Sequence, residues 1–245
     1  MMAKDDQMAV KFGQPELDDI FGGGLSPGTT IILEDEIGVS AKPLMIQFLA
    51  EGLFNGEYTY IVATESLYED YRKLLVPMGI DEIVVETKRL VYIDAFSNPF
   101  GYRDARKATG FENVIKDLSQ PRTITDSIRQ ALLHVRTQNV RGVLDSFSTV
   151  LVYTQQLQAP IAFLQYKIAT DRANGHITLF TLHKDVHPPE VVRAVEHYFN
   201  IVLRIEHRDE KNVLKVVKSG ETYSDAKKNE FEYRPLPGKI ELHPL

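Results

Sequence analysis

Two hydrophobic periods alternate along the chain. Short, nearly unbroken apolar runs at residues 30–33, 58–63, 90–93, 142–144 and 177–182 are bounded by turn residues, as expected of strands covered on both faces. Between the first two, residues 44–54 are apolar around most of a helical circumference, which predicts a βαβ unit. Ile124, Ile128, Ala131, Leu132 and Val135 recur at helical spacing, and Thr123 with Asp126 stands as a capping pair opening that helix. A second helix over 159–173 stops at Asn174-Gly175, where glycine accepts the left-handed backbone beyond a last turn. Near the end the period changes to two. Phe199, Ile201, Leu203 and Ile205 alternate with Asn200, Arg204 and Glu206, and a polar turn leads into 213–217. These residues predict an antiparallel hairpin. The fold class is α/β, with a mainly parallel central sheet flanked by helices and a C-terminal antiparallel hairpin.

Composition narrows this picture. The 245 residues are 43% hydrophobic and 25% charged, and the prolines and glycines are spread along the chain, so one domain over 1–245 is expected. A formal charge of −6 argues against a protein that coats polyanions, which needs concentrated positive charge to displace counterions. With no cysteine, disulfides, thiolate metal sites and cysteine nucleophiles are excluded. The polar stretch 1–7 does not read as a signal peptide and no long apolar run follows, so a cytoplasmic location and no membrane contact are expected.

The segment GQPELDDIFGGGLSPGTTIIL, residues 13–33, resembles the opening signature of the archaeal KaiC-like and RadA-like ATPases of the RecA superfamily. Leu17-Asp18, Gly22-Gly23-Gly24-Leu25 and Gly28 stand in register directly before the first predicted strand. Further matches follow in order: Gln47-Phe48-Leu49 and Glu51-Gly52-Leu53 look like the helix after the phosphate loop, and Tyr60-Ile61-Val62 with Glu65 like the next strand and its acidic end. Val143-Leu144-Asp145-Ser146 resembles a Walker B strand, and the "LKVVKSG" run the family's paired-strand end. The resemblance implies a RecA-like P-loop NTPase fold with a nucleotide held between neighbouring subunits of an oligomer.

The chemistry of that family is interrupted at the phosphate loop. A working loop, G-x-x-x-x-G-K-[ST], turns its backbone N–H groups onto the phosphates, adds a lysine for the β and γ groups, and supplies a hydroxyl to Mg²⁺. Counting back from Gln47, the resemblance sets residues 35–42 there, D-E-I-G-V-S-A-K. Only Gly38 matches; Asp35 and Ser40 replace glycines, Ala41 the lysine, and Lys42 the hydroxyl. Lys42 is one position late, a rotation of roughly 100°, and is expected to point away from the phosphates. The run Glu34-Asp35-Glu36 is expected to repel a triphosphate, at a cost on the order of 3 kcal/mol for each like-charge pair at about 5 Å and an effective dielectric near 20. Glu65 and Asp145 remain at predicted strand ends as candidates for metal or water coordination, with Asp145 read first as an acceptor that organises its loop. Lys218-Ser219-Gly220 lacks the arginine that relatives present to a neighbour's nucleotide.

Two other constellations carry candidate chemistry. His183 and His187 with Glu190 have the look of metal ligands, but the two prolines that follow His187 suit a structural loop, and no metal is expected. Arg103, Arg106 and Lys107, with Lys116 and Arg122 among Phe100, Tyr102 and Phe111, form a basic-aromatic stretch suited to a partner or a single nucleic-acid strand. Residues 153–158 contain no lysine or arginine, which disfavours strand exchange. The reading that follows is a non-catalytic RecA/KaiC-like domain, regulatory or scaffolding, acting through protein or peptide contacts or as a self-oligomer, with no cofactor. The alternatives are an ATP-dependent switch with a non-standard loop, using ATP and Mg²⁺, and a DNA-repair accessory protein of the recombinase-paralogue type.

Overall fold

The computed structural model describes residues 10–98, 113–115, 117–135, 139–154, 156–220, 222–223 and 229–245. After a short helix α1 (Pro15–Ile20) come β1 (Thr30–Asp35), α2 (Lys42–Phe54) and β2 (Tyr58–Ala63). Two helices, α3 (Tyr68–Leu75) and α4 (Ile80–Thr87), lead to β3 (Leu90–Asp94). Then follow α5 (Arg122–Ala131), β4 (Val140–Asp145), α6 (Phe147–Tyr153), α7 (Gln158–Asn174), β5 (Ile177–His183) and α8 (Pro189–Glu196). The chain closes with β6 (Ile201–Arg208), β7 (Lys211–Ser219), β8 (Thr222–Tyr223), β9 (Glu230–Leu236) and β10 (Lys239–Pro244).

The strands form one sheet in the order β10-β9-β7-β6-β1-β5-β4-β2-β3, with β8 beside β7. From β6 to β3 every neighbouring pair is parallel, and from β6 outward to β10 every pair is antiparallel. Because side chains alternate across a strand, β1 sends Ile31 and Leu33 to one core and Ile32 to another. The first core packs α1 to α4 against the sheet and continues under Phe231, Tyr233, Ile240 and Leu242. The second joins α5 to α8 to Tyr60, Leu144, Phe180 and Val202. Both faces of the central strands are thus covered, which is why they read as continuous apolar runs.

One buried ion pair ties these layers together. Arg141, at the start of β4, is fully buried and donates to both carboxylate oxygens of Glu57, at 2.8 and 2.7 Å. It also donates to the carbonyls of Phe48 and Lys11 and lies over the Phe48 ring. Gly52 of α2 makes the room: a Cβ there would fall 2.8 Å from Arg141 Nε.

The expected capping pair does not form. Helix α5 begins at Arg122 with no side-chain cap; the Thr123 hydroxyl instead donates to the carbonyls of Asp117 and Gln120, and Asp126 pairs with Arg122 and Arg129. Competing backbone acceptors one turn earlier have taken the threonine. The antiparallel hairpin is present as β6 and β7, but three further strands, β8, β9 and β10, extend it.

Candidate functional site

The site is the rim made by the C-terminal ends of the parallel strands, where α/β sheets place ligands. Strand β1 ends at Asp35, and the turn after it carries an exposed Ile37 at its tip and Gly38 with φ of +93°. Helix α2 opens at Lys42, with Pro43 in its first turn. The first orphan donor at this helix start has an internal acceptor, since Asp35 Oδ2 takes the Ala41 N–H at 3.0 Å. Ser40 is exposed and its hydroxyl accepts the Lys42 N–H at 3.3 Å.

Parallel pairing sets Asp35 of β1 beside His183 of β5. The imidazole is held at both nitrogens, Nδ1 by Asp35 at 2.5 Å and Nε2 by Glu65 at 2.8 Å. Thr149 of α6 completes the chain, donating its hydroxyl to the other Glu65 oxygen at 2.7 Å. The hydrogen bonds to Asp35 and then Glu65 lift His183 to about 10, against partial burial, so at neutral pH it is an imidazolium donating to two carboxylates. Burial raises the Glu65 carboxyl, but His183, with help from Thr149 and Lys42, more than offsets it and leaves the carboxyl below its usual range. Desolvation followed by the His183 charge lowers His187, whose Nε2 lies 2.8 Å from the Ser148 hydroxyl.

Asp145, at the end of β4, is almost wholly buried. Its carboxylate accepts from Tyr71 of α3 at 2.8 Å and from Thr181 of β5 at 2.7 Å. Burial pushes this carboxyl up, opposed by Lys42 and Thr181. Lys42 reaches toward the end of β4: its ammonium donates to the Ser66 hydroxyl at 2.5 Å and stands 3.8 Å from Asp145 Oδ2. The start of α2 thus sets the lysine beside the carboxylate at the end of β4.

Each side chain of the run Glu34-Asp35-Glu36 lies against a basic side chain from another element, and the one beside Glu34 is shared with a second acid. Glu34 pairs with Arg204 of β6 at 2.8 Å, Asp35 with His183, and Glu36 with Lys184 at 2.7 Å. Arg204 also binds Glu196 of α8. One guanidinium shared by two carboxylates does not neutralise both, and Glu34 is fully buried with Oε1 lacking a hydrogen-bond partner. Desolvation therefore lifts Glu34 to about 8, with Arg204 opposing and Glu196 adding to the rise, so Glu34 is largely protonated at neutral pH.

Of the residues singled out from sequence, Lys42, Glu65 and Asp145 converge on this rim, while Gly38 and Ser40 form the turn that leads into α2. His183 belongs with them, as the imidazolium between two carboxylates. Glu190 is exposed in the first turn of α8, and among the described residues no group of three or more ligands is arranged to hold a metal. Arg103, Arg106 and Lys107 lie outside the described residues. Sequence reasoning missed Tyr71, Thr149, Thr181 and Arg204, and Asp35 as a binding partner; Asp35, Thr149 and Thr181 stand in or near strand ends, whereas Tyr71 within α3 and Arg204 within β6 carried no such signal.

The family model for the KaiC ATPases matches residues 10–244. This chain belongs to that family. A UPF0273 protein of Pyrococcus horikoshii is 29% identical over 145 residues, covering 58% of this KaiC-family chain and 56% of the relative. Human Elongator complex protein 4 is 40% identical over 62 residues, 25% of this chain and 14% of the relative. The chain thus spans at most about half the length of these curated relatives. Among solved structures, a KaiC-like protein of Pyrococcus horikoshii superposes with a TM-score of 0.72 at 18% identity, covering 96% of this chain and 99% of the other. The flagellar accessory protein FlaH of Methanocaldococcus jannaschii gives 0.63 at 17% identity, covering 96% and 98%. At such identities the likeness speaks for the fold, that of the KaiC branch of the RecA superfamily. Among the described residues no helix is long and apolar enough to cross a membrane.

Proposed function

We propose that this KaiC-family domain is non-catalytic and works as a regulatory or scaffolding protein through contacts with other proteins. One observation carries the reading: the rim contains its own substitutes for both charges of a magnesium nucleotide. Phosphate binding at such a loop uses free N–H groups at the helix start, and here the Asp35 carboxylate takes the Ala41 N–H. Metal binding uses a hydroxyl at position 42 and the carboxylate at the end of β4, and here position 42 brings an ammonium to 3.8 Å from Asp145. The residues present do not fit a magnesium nucleotide, and no hydrolytic step is derived through one. The names of two relatives agree with a role in assemblies, one as an accessory protein and one as a component of a complex.

The test is the thermal midpoint of the purified protein against millimolar ATP and ADP, with and without Mg²⁺. A ligand that binds only the folded state raises the midpoint, so no rise is expected. A Mg²⁺-dependent rise that disappears in Lys42→Ala would instead support the ATP switch. Substituting Asp35→Gly, Ala41→Lys and Lys42→Thr together is expected to create a Mg²⁺-dependent rise, because it removes the internal anion and restores the loop donors.

A further inference from the structure

On the face of the sheet opposite α2, helices α5 and α7 leave between them a groove of about 770 Å³. Ile128 and Phe163 are buried in its lining, while Leu133 and Tyr166 on its borders are 65% and 58% exposed. Single exposed apolar side chains are ordinary on a protein surface, but several bordering one apolar groove mark an interaction site. Part of the lining is charged but closed. Lys167 and Asp171 are buried and bonded to each other, and Asp171 also accepts the Thr178 hydroxyl at 2.7 Å. This ion pair is satisfied within the protein, so the groove offers a ligand apolar contact rather than a free buried charge.

The charge lies on the border. Arg122 and Arg129 have side chains 90% and 75% exposed and share a single carboxylate, Asp126. They are seven residues apart, two turns along one face of α5. A groove edged by open arginines in a chain of net charge −6 complements a helix with an apolar stripe and carboxylates two turns apart. The α7 side, from Ala159 to Asn174, is about 22 Å long at the helical rise, which matches about four turns of a partner helix.

We propose that the groove between α5 and α7 is the docking site for an amphipathic, acidic helix of a protein partner, seated on Leu132, Phe163 and Tyr166 with carboxylates against Arg122 and Arg129. Helix-in-groove recognition buries an i, i+3/i+4, i+7 stripe, and exposed aromatic and arginine side chains suit the centre and border of such an interface. This site deepens the non-catalytic reading and rests on it for its biological purpose. Its test reads peptide binding without nucleotide, so either idea fails separately.

The probe is a labelled synthetic helix of about 16 residues with a leucine stripe and glutamates two turns apart, followed by fluorescence anisotropy. Its controls carry lysine for glutamate or a scrambled order. Micromolar binding is expected for the acidic helix, at least about tenfold weaker for either control. Ala162→Trp fills the groove from an exposed position and is expected to abolish binding with the thermal midpoint unchanged. Arg122→Glu with Arg129→Glu is expected to reverse the preference toward the lysine helix. Equal affinity for all three peptides, no binding, or binding indifferent to Ala162→Trp would overturn the proposal. So would a dimer in sedimentation that Ala162→Trp dissociates, which would make the occupant a second copy. A photo-crosslink from position 166 to residues 99–112 would likewise make the occupant this chain itself.

Discussion

At the strand-end rim, Glu34, Asp35, Glu36, Glu65, Asp145 and His183 crowd together, and each has at least one oppositely charged or hydrogen-bonding neighbour from another element. Across the molecule, the α5–α7 groove leaves Leu133 and Tyr166 open to solvent and sets two arginines against one aspartate. The rim is rich in chemistry but spends its bonding capacity on itself; the groove has little chemistry and leaves its capacity free. Recognition requires interactions that are gained on binding, so the groove is the better candidate for present function even though the rim is where the fold places ligands.

Several substitutions test how far apart these regions are. The largest loss is expected beneath the rim, from Arg141→Ala, which leaves Glu57 buried without its cation; about 3–5 kcal/mol of unfolding free energy should disappear in urea titrations. Next comes Asp35→Ala, which removes a buried acceptor from both a charged imidazole and a helix N–H, at about 1.5–3 kcal/mol. A double-mutant cycle with His183→Ala should show coupling of at least about 0.5 kcal/mol if the rim is one network. Additive single effects would mean separate pairs and weaken the contrast.

The pH dependence gives a smaller and more specific signal. Glu34 binds its proton more tightly in the folded state, 4.5 rising to about 8, so stability declines as pH rises through that window. Glu34→Gln should flatten the decline. His183, raised from 6.5 to about 10, contributes stability that is fully present below 6.5 and is lost as pH climbs through 10. His183→Gln should remove that upper limb. Melting curves from pH 5 to 10 read both, and a wild type that gains stability over this range would refute the assignments. The smallest effects are expected in the groove: Leu133→Ser and Arg122→Ala should each change stability by less than about 0.5 kcal/mol, the mark of side chains that the fold itself does not use.

Much of the fold was readable because buried parallel strands and their helices write strong periods. Strands β1 to β5, α2 and α7 follow directly from such runs. Helices α3 and α4 and strands β9 and β10 went unnamed, although Phe231, Tyr233, Ile240 and Leu242 alternate around Gly238 and signal an antiparallel pair. The partner of Lys42 was not legible, because a single helical offset says where a side chain leaves the helix and nothing about Asp145, which arrives from another strand. The repulsion that residues 34–36 would offer a triphosphate can be counted from sequence, but the basic side chains that meet them from other elements cannot.

The sequence by itself determined the order of the main strands and helices, the family signature at residues 13–33 and which residues, Asp35 to Lys42, follow the first strand. These depend on neighbours along the chain, where spacing is information. Only the tertiary structure decided which charges meet. Asp35 and His183 are 148 residues apart, and Glu34 and Arg204 are 170 apart, yet sheet register sets each pair side by side. Register is fixed by the packing of two whole cores, and no local stretch of sequence carries it.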